Sequence, residues 1–329
     1  MKNHISRRAL VLSFALSMSM LGLGSASALA SNKRPIRLLV GFPAGATVDL
    51  AARLIATDMA EALGTPVIVE NRPGASGRMA ISVAAAAASD GSTFIITPGA
   101  ALTLFPHIFK ELRYDPFKDL TPVTNVVDWG LGLAVPFDSP VQNLADYISA
   151  VKKAPDNAFF TSSSTGSVQH LAGMNLSNAI GAKLEHVGYK GASEAIVALV
   201  GNQVPAAILN IGDLINHHRA RRVRVIAVLG KERDPMLPEI PSISELGYPQ
   251  LVASGWLGLY APAGTPDSAL KPVRDAVINA LNKKEIKAKL YSAGMIAHSS
   301  TPQELDRYGR EEYQHWRDVV AAIPGFELL

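Results

Sequence analysis

The chain has 329 residues, with 31 lysines and arginines against 28 aspartates and glutamates, and no cysteine. That length exceeds what one compact core usually covers, so two domains are expected. The missing thiols exclude disulfides, thiolate metal centres and cysteine nucleophiles. Three of the basic residues, Lys2, Arg7 and Arg8, fall in the first 30 positions, which hold no acid, and the remainder is balanced at 28 against 28. Nothing supplies the positive footprint that nucleic acid needs. Arg219, Arg221, Arg222 and Arg224 cluster in sequence and read as a solvated edge.

The basic start is followed by an uncharged apolar run from Ala9, and Ala28-Leu29-Ala30 ends it with small residues. This pattern predicts an export signal over residues 1–30, cleaved after Ala30, and a periplasmic protein. A retained membrane anchor is the rival, because the run is long enough to span a bilayer. Gly22, Gly24 and the Ser/Ala-rich end favour cleavage.

Residues 36–40 read as a first buried strand and 47–63 as a helix closed by Gly64. A strand at 67–69, a turn from Asn71 to Gly77, an alanine-rich helix at 78–88 and a strand at 93–96 follow. Strand and helix alternating at this spacing predict a parallel sheet with helices on both faces, and ligands bind beyond the carboxyl ends of such strands. Three small-residue loops lie at that edge: 41–47, 72–77 and 97–101. A long extended stretch at 123–135 then opens a second α/β series. It has helices at 144–152, 168–180 and 192–200 and strands at 158–161, 184–187, 204–209 and 223–229. A proline-rich connection leads to a strand at 256–261 that can return to the first domain. Helices at 266–281, 284–292 and 302–320 finish the chain.

The first loop, Gly41 to Thr47, is a turn of small residues with Thr47 placed to cap the following helix. Free amides there, added to the helix dipole, form an anion site suited to a carboxylate or phosphate. Asp49 and Arg53 follow on one helix face, and Asp49 reads as a stabiliser of the helix start rather than a catalyst. The second loop offers Ser162, Ser163, Ser164, Thr165 and Ser167 with the Gly166 amide. Hydroxyls and amides together satisfy a carboxylate through charge-assisted bonds, although such a loop can also simply cap the next helix. His170, one turn into that helix, reads as a packed or orienting residue, because no nucleophile and acid are in evident reach. The adjacent His217-His218 lacks metal-ligand spacing. Ser149-Ala150-Val151-Lys152 matches a serine-lysine pattern without its companion motifs. No catalytic residue, metal site or cofactor is expected.

Gly41-Phe42-Pro43-Ala44-Gly45-Ala46-Thr47-Val48-Asp49-Leu50-Ala51-Ala52-Arg53 resembles the first signature of the extracytoplasmic solute receptors of tripartite tricarboxylate transporters, the Bug proteins. So do Val69-Glu70-Asn71-Arg72-Pro73-Gly74-Ala75, Leu112-Arg113-Tyr114-Asp115-Pro116, Gln169-His170-Leu171-Ala172-Gly173, Tyr189-Lys190-Gly191-Ala192 and Ala261-Pro262-Ala263-Gly264-Thr265-Pro266. The matches fall in order along the chain. The resemblance implies an α/β protein of the type II periplasmic-binding-protein fold, with two α/β lobes joined by two crossing strands and a ligand cleft between them. The lobes are expected at 31–132 plus 252–329 and at 133–251. It implies a small carboxylate ligand (dicarboxylate, tricarboxylate, amino acid or aromatic acid) and integral-membrane transporter subunits as partners of a monomeric receptor. The ligand-binding residues carried over are Phe42, Ala44, Gly45, Ala46, Thr47 and Asp49 with Ser76 and Thr97 in the first lobe. In the second lobe they are Ser162, Ser163, Ser164, Thr165, Gly166, Ser167, His170, Tyr189 and Asn210.

Ala46 and Ser164 stand where the family usually has glycine, and a position needing positive φ would be strained by either. Pro205, Leu209, Glu194 and Ala198 depart from the pattern too, so most departures fall in the second lobe. The expected function is capture of a small carboxylate for delivery to a membrane transporter. The alternatives are a receptor signalling to a membrane sensor, and a hydrolase using the serine loop with His170.

Overall fold

A computed structural model describes residues 34–154, 158–323, 326 and 328; the export signal expected at 1–30 lies outside them. Strand β1 (Ile36–Val40) is buried except at Arg37 and feeds α1 (Thr47–Leu63), which closes on Gly64 in a left-handed turn. Strand β2 (Val67–Asn71), a short 3-10 turn (Ala75–Gly77), α2 (Arg78–Ala85) and β3 (Thr93–Pro98) complete the expected alternation. β1 pairs in parallel with β2 and β3. Two short helices then follow, α3 (Ala100–Thr103), which begins inside the loop expected at 97–101, and α4 (Phe105–Ile108), for which the sequence predicted no element.

Strand β4 (Leu120–Pro136) is 17 residues long and organises the rest. Its first part pairs antiparallel with the returning strand β9 (Ser254–Pro262), from Leu120 opposite Pro262 to Gly130 opposite Ser254. β9 in turn pairs antiparallel with β3, so the first half of the sheet is mixed, not parallel as its βαβ pattern suggested. From Leu131 onward β4 changes partners, taking β7 (Ala207–Asn210) and β8 (Val223–Val228). β5 (Phe159–Ser162) and β6 (Glu185–Gly188) extend that second half in parallel. The chain therefore crosses between the halves twice, near Gly130 going out and near Ala253 coming back, where the Ala253 amide donates to the Leu229 carbonyl at 2.8 Å.

Helices α5 (Leu144–Lys153), α6 (Val168–Ile180), α7 (Ala192–Val200) and α8 (Ile211–Arg219) dress the second half. α9 (Asp267–Asn282), α10 (Lys284–Ser292), the two-residue strand β10 (Ile296–Ala297) on β4, and α11 (Pro302–Ala322) close the first. One apolar core joins the two, with Leu39 and Ile95 in the same buried cluster as Phe160 and Ile208. Ser149, the serine of the serine-lysine match, is exposed on α5.

Candidate functional site

The two crossings and the loops beside them enclose a cavity of about 290 Å³. One side is polar. Ser164, Thr165, Gly166, Ser167 and Gln169 line it from the loop after β5 and the first turn of α6, and Ser76 joins them from the other half. Ser167 caps α6: its Oγ accepts from the His170 amide at 3.2 Å and donates to the Ser164 carbonyl at 2.7 Å. The amides of Val168 and Gln169 therefore open the helix with no intrahelical acceptor, and the dipole adds partial positive charge. The Gln169 side chain is held by Asn210, donating to its Oδ1 at 2.7 Å.

The other side is aromatic. Phe42, Phe105, Phe109, Trp129 and Trp256 line the cavity. Both tryptophans depend on a glycine. A Cβ on Gly255, opposite Trp129 in the ladder, would fall 2.0 Å from its ring, and one on Gly99 would fall 1.9 Å from Trp256. Glu312 of α11 anchors Trp256 from behind, accepting from the indole N–H at 2.8 Å and from the Thr103 hydroxyl at 2.9 Å. Burial pushes the Glu312 carboxyl up to about 7, against the lowering effect of these two hydrogen bonds. Phe105 and Phe109 meet edge to face at 5.1 Å, and the Arg78 guanidinium lies 3.7 Å from the Phe109 ring centre. Among the described residues, no aspartate, glutamate, lysine, arginine or histidine lines the cavity.

The first loop is built differently from the sequence expectation. α1 begins at Thr47 itself, its N-cap is Ala46, and no side chain caps it. The Gly45 amide is spent on Asp49 Oδ2 at 2.8 Å and the Ala46 amide on the Pro43 carbonyl at 3.2 Å. Two of the expected donors are thus consumed inside the turn, while the amides that open α1 have no side-chain cap. Ala46 causes no strain, with φ −68°; the positive φ falls on Gly45, at +84°. In the second loop it falls on Gly166, at +79°, leaving Ser164 unstrained. Ala75 and Ser76 do take the left-handed conformation, at φ 48° and 57°, a cost of order 1–3 kcal/mol each that the surrounding fold must sustain.

Of the residues expected to bind ligand, Phe42, Ser76, Ser164, Thr165, Gly166 and Ser167 line the cavity. Ala44, Gly45, Ala46, Thr47 and Asp49 do not; the first two and Thr47 are exposed, and Asp49 is buried beneath the turn. Thr97 is buried within β3. Ser162 is fully buried with its hydroxyl 2.8 Å from His186 Nε2, and Ser163 is outside the lining. His170 accepts the Gly166 amide on Nδ1 at 3.1 Å and stacks on His186, so it shapes the loop. Burial lowers both histidines to about 4, His186 further through its neighbour His170. Tyr189 packs against the core of the second half, and Asn210 acts through Gln169. The aromatic residues other than Phe42, together with Gln169 and Ser254, escaped the sequence reading. The available signal was a tryptophan beside a glycine on each crossing strand, Trp129-Gly130 and Gly255-Trp256.

Two α/β halves joined by crossing strands, with a cleft at the crossing, define the class of two-lobed periplasmic solute-binding proteins. Residues 51–324 match the model of the tripartite tricarboxylate transporter family receptor, and the chain belongs to that family. It is 32% identical to BugT of Bordetella pertussis over 288 residues, covering 87% of this chain and 88% of that one. Two solved structures share its fold at 30% identity. MatC of Rhodopseudomonas palustris with bound malate has a TM-score of 0.73, covering 88% of this chain and 99% of that one. A second R. palustris protein, with adipate, has a TM-score of 0.76, covering 89% and 98%. The chain is a solute-binding receptor of the type II fold. No helix among the described residues is long and apolar enough to cross a membrane.

Proposed function

We propose that the chain captures a small carboxylate in this cleft and delivers it to the integral-membrane subunits of a tripartite tricarboxylate-type transporter. The observation that carries the reading is the donor stretch from Ser164 to Gln169, which faces Ser76 across an otherwise uncharged cavity. Hydroxyls and helix-start amides are what a desolvated carboxylate requires. The malate and adipate held by the two R. palustris proteins support a ligand of this kind. In this reading residues 1–30 are removed after Ala30 during export, the mature chain works in the periplasm as a monomer, and 31–132 plus 252–329 and 133–251 are the two lobes.

The reading is also one of binding without catalysis. Ser162 and His186 form the one serine–histidine hydrogen bond between side chains among the described residues. That serine is fully buried, and the ring neighbours of His186 are Phe160 and His170. A nucleophile needs an oriented base and access to substrate; this pair has neither an acid bonded to the imidazole nor an open path.

Thermal unfolding of the mature protein against a panel of organic acids tests the proposal. A ligand at 100 times its Kd adds about 2.7 kcal/mol of stability, so at least one carboxylate is expected to raise the midpoint by several degrees. A panel with no shift overturns it.

A further inference from the structure

We propose that the cleft selects an aromatic monocarboxylate, one carboxylate on a flat apolar body, over the di- and tricarboxylates. This rests on the reading of the cleft as a carboxylate site and narrows it.

The continuous run of donors, Ser164 to Gln169, is one pole; Ser76 faces it singly, and the Ser254 hydroxyl lies 3.3 Å from the Tyr308 hydroxyl. A carboxylate has about four lone-pair positions to satisfy. Ser164, Thr165, Val168 and Gln169 line the cavity in a single stretch of chain, and two hydroxyls with two helix-start amides match that number. The opposite pole is five rings: Phe42, Phe105, Phe109, Trp129 and Trp256. Rings placed this way favour another ring through edge and offset contacts at centroid separations of roughly 4.5–7 Å. The cavity, about 290 Å³, is at the small end of ligand pockets, which run from roughly 300 to 1,000 Å³.

A second carboxylate has nowhere to go. No cationic side chain among the described residues lines the cavity. Of the first loop, Ala44 to Asp49 lie outside the lining, with the Gly45 amide spent on Asp49 and the Ala46 amide on Pro43. Arg78 lies outside the lining, giving its Nε–H to the Ala75 carbonyl at 2.9 Å and resting over the Phe109 ring. A carboxylate pressed against the ring pole would be buried without partners, which is far more costly than leaving it in water. The same rings that penalise it stabilise an apolar body.

Isothermal titration of the mature protein with benzoate, phenylacetate, benzamide, hexanoate, adipate, malate and citrate tests the inference. Benzoate or phenylacetate is expected to bind at least ten times more tightly than adipate or hexanoate, with malate and citrate silent. Benzamide, which keeps the ring and loses the charge, is expected to fail. Tighter or equal binding of adipate, malate or citrate overturns the selection while leaving the carboxylate receptor intact. Equal binding of hexanoate overturns the role of the rings. Silence from every carboxylate, or benzamide matching benzoate, removes the underlying carboxylate reading as well. Trp129→Leu and, independently, Phe109→Leu are expected to weaken the aromatic acid at least tenfold while circular dichroism stays unchanged. Two folded variants with unaltered affinity for the aromatic acid overturn the inference.

Discussion

Asp49 is 2% exposed, yet both of its carboxylate oxygens are occupied. Oδ2 takes the Gly45 amide at 2.8 Å and Oδ1 takes the Asn71 side chain at 2.8 Å, while Arg53 Nε reaches both at about 3 Å. Burial alone would raise its pKa; the bonds from Arg53, Gly45 and Asn71 outweigh burial and hold it below the usual range. Asp49→Ala leaves these donors bare and is expected to cost roughly 1.5–3 kcal/mol, read from urea unfolding, with Asp49→Asn costing less. Glu312 shows the opposite balance. Its folded pKa of about 7 lies above the ordinary 4.5, so the native state binds more protons than the unfolded chain between those values. Its contribution to stability therefore falls as pH rises from about 4.5 to about 7. His170 and His186, held near 4, slope the other way from 4 to 6.5. The measurement that isolates Glu312 is the difference between wild type and Glu312→Gln across pH 4.5–8, where the variant is expected to gain relative stability toward neutral pH. A difference that does not change with pH would refute this assignment.

Among the elements, α6 does the most for the site, because its first turn is the donor pole. Ser167→Ala removes the cap on His170 and the bond to Ser164 and is expected to cost about 1 kcal/mol of stability. Carboxylate affinity measured by titration is expected to fall with it, as the loop loses its shape. On the aromatic side, Gly255→Ala places a methyl group where Trp129 stands. Overpacking of this kind costs about 1–3 kcal/mol, and ligand affinity is expected to fall as the ring moves. Local patterns made much of this legible. The alternation of buried runs with helices gave β1 to β3, and small-residue loops at strand ends marked the donor stretch before α6. Tertiary pairing was not legible. Nothing near Gly45 in sequence says that a carboxylate four residues on will take its amide. Nothing in α11 says that Glu312 will reach an indole 56 residues away. The ring pole is assembled from β4, β9, the loop after β1, and the short helix α4 with the residue that ends it, and only the fold brings those together.

At the scale of the whole molecule, β4 and β9 belong to both halves, and one buried cluster runs through the crossing. Residues from Pro35 onward form a single compact unit. Cooperative coupling through shared strands predicts one unfolding transition, with tryptophan emission and far-ultraviolet dichroism coinciding against denaturant; separated midpoints would mean that the halves unfold independently. The placement of the tryptophans has an optical consequence as well. Two of the three indoles in the chain, Trp129 and Trp256, sit in the cavity wall, and the third, Trp316, is buried in the core and is not part of the lining. The protein thus carries its own dye at the point of capture. A ring seated between those indoles would quench or shift most of the native emission, so occupancy could be followed in unlabelled protein, at the speed of mixing, through light the binding wall itself emits.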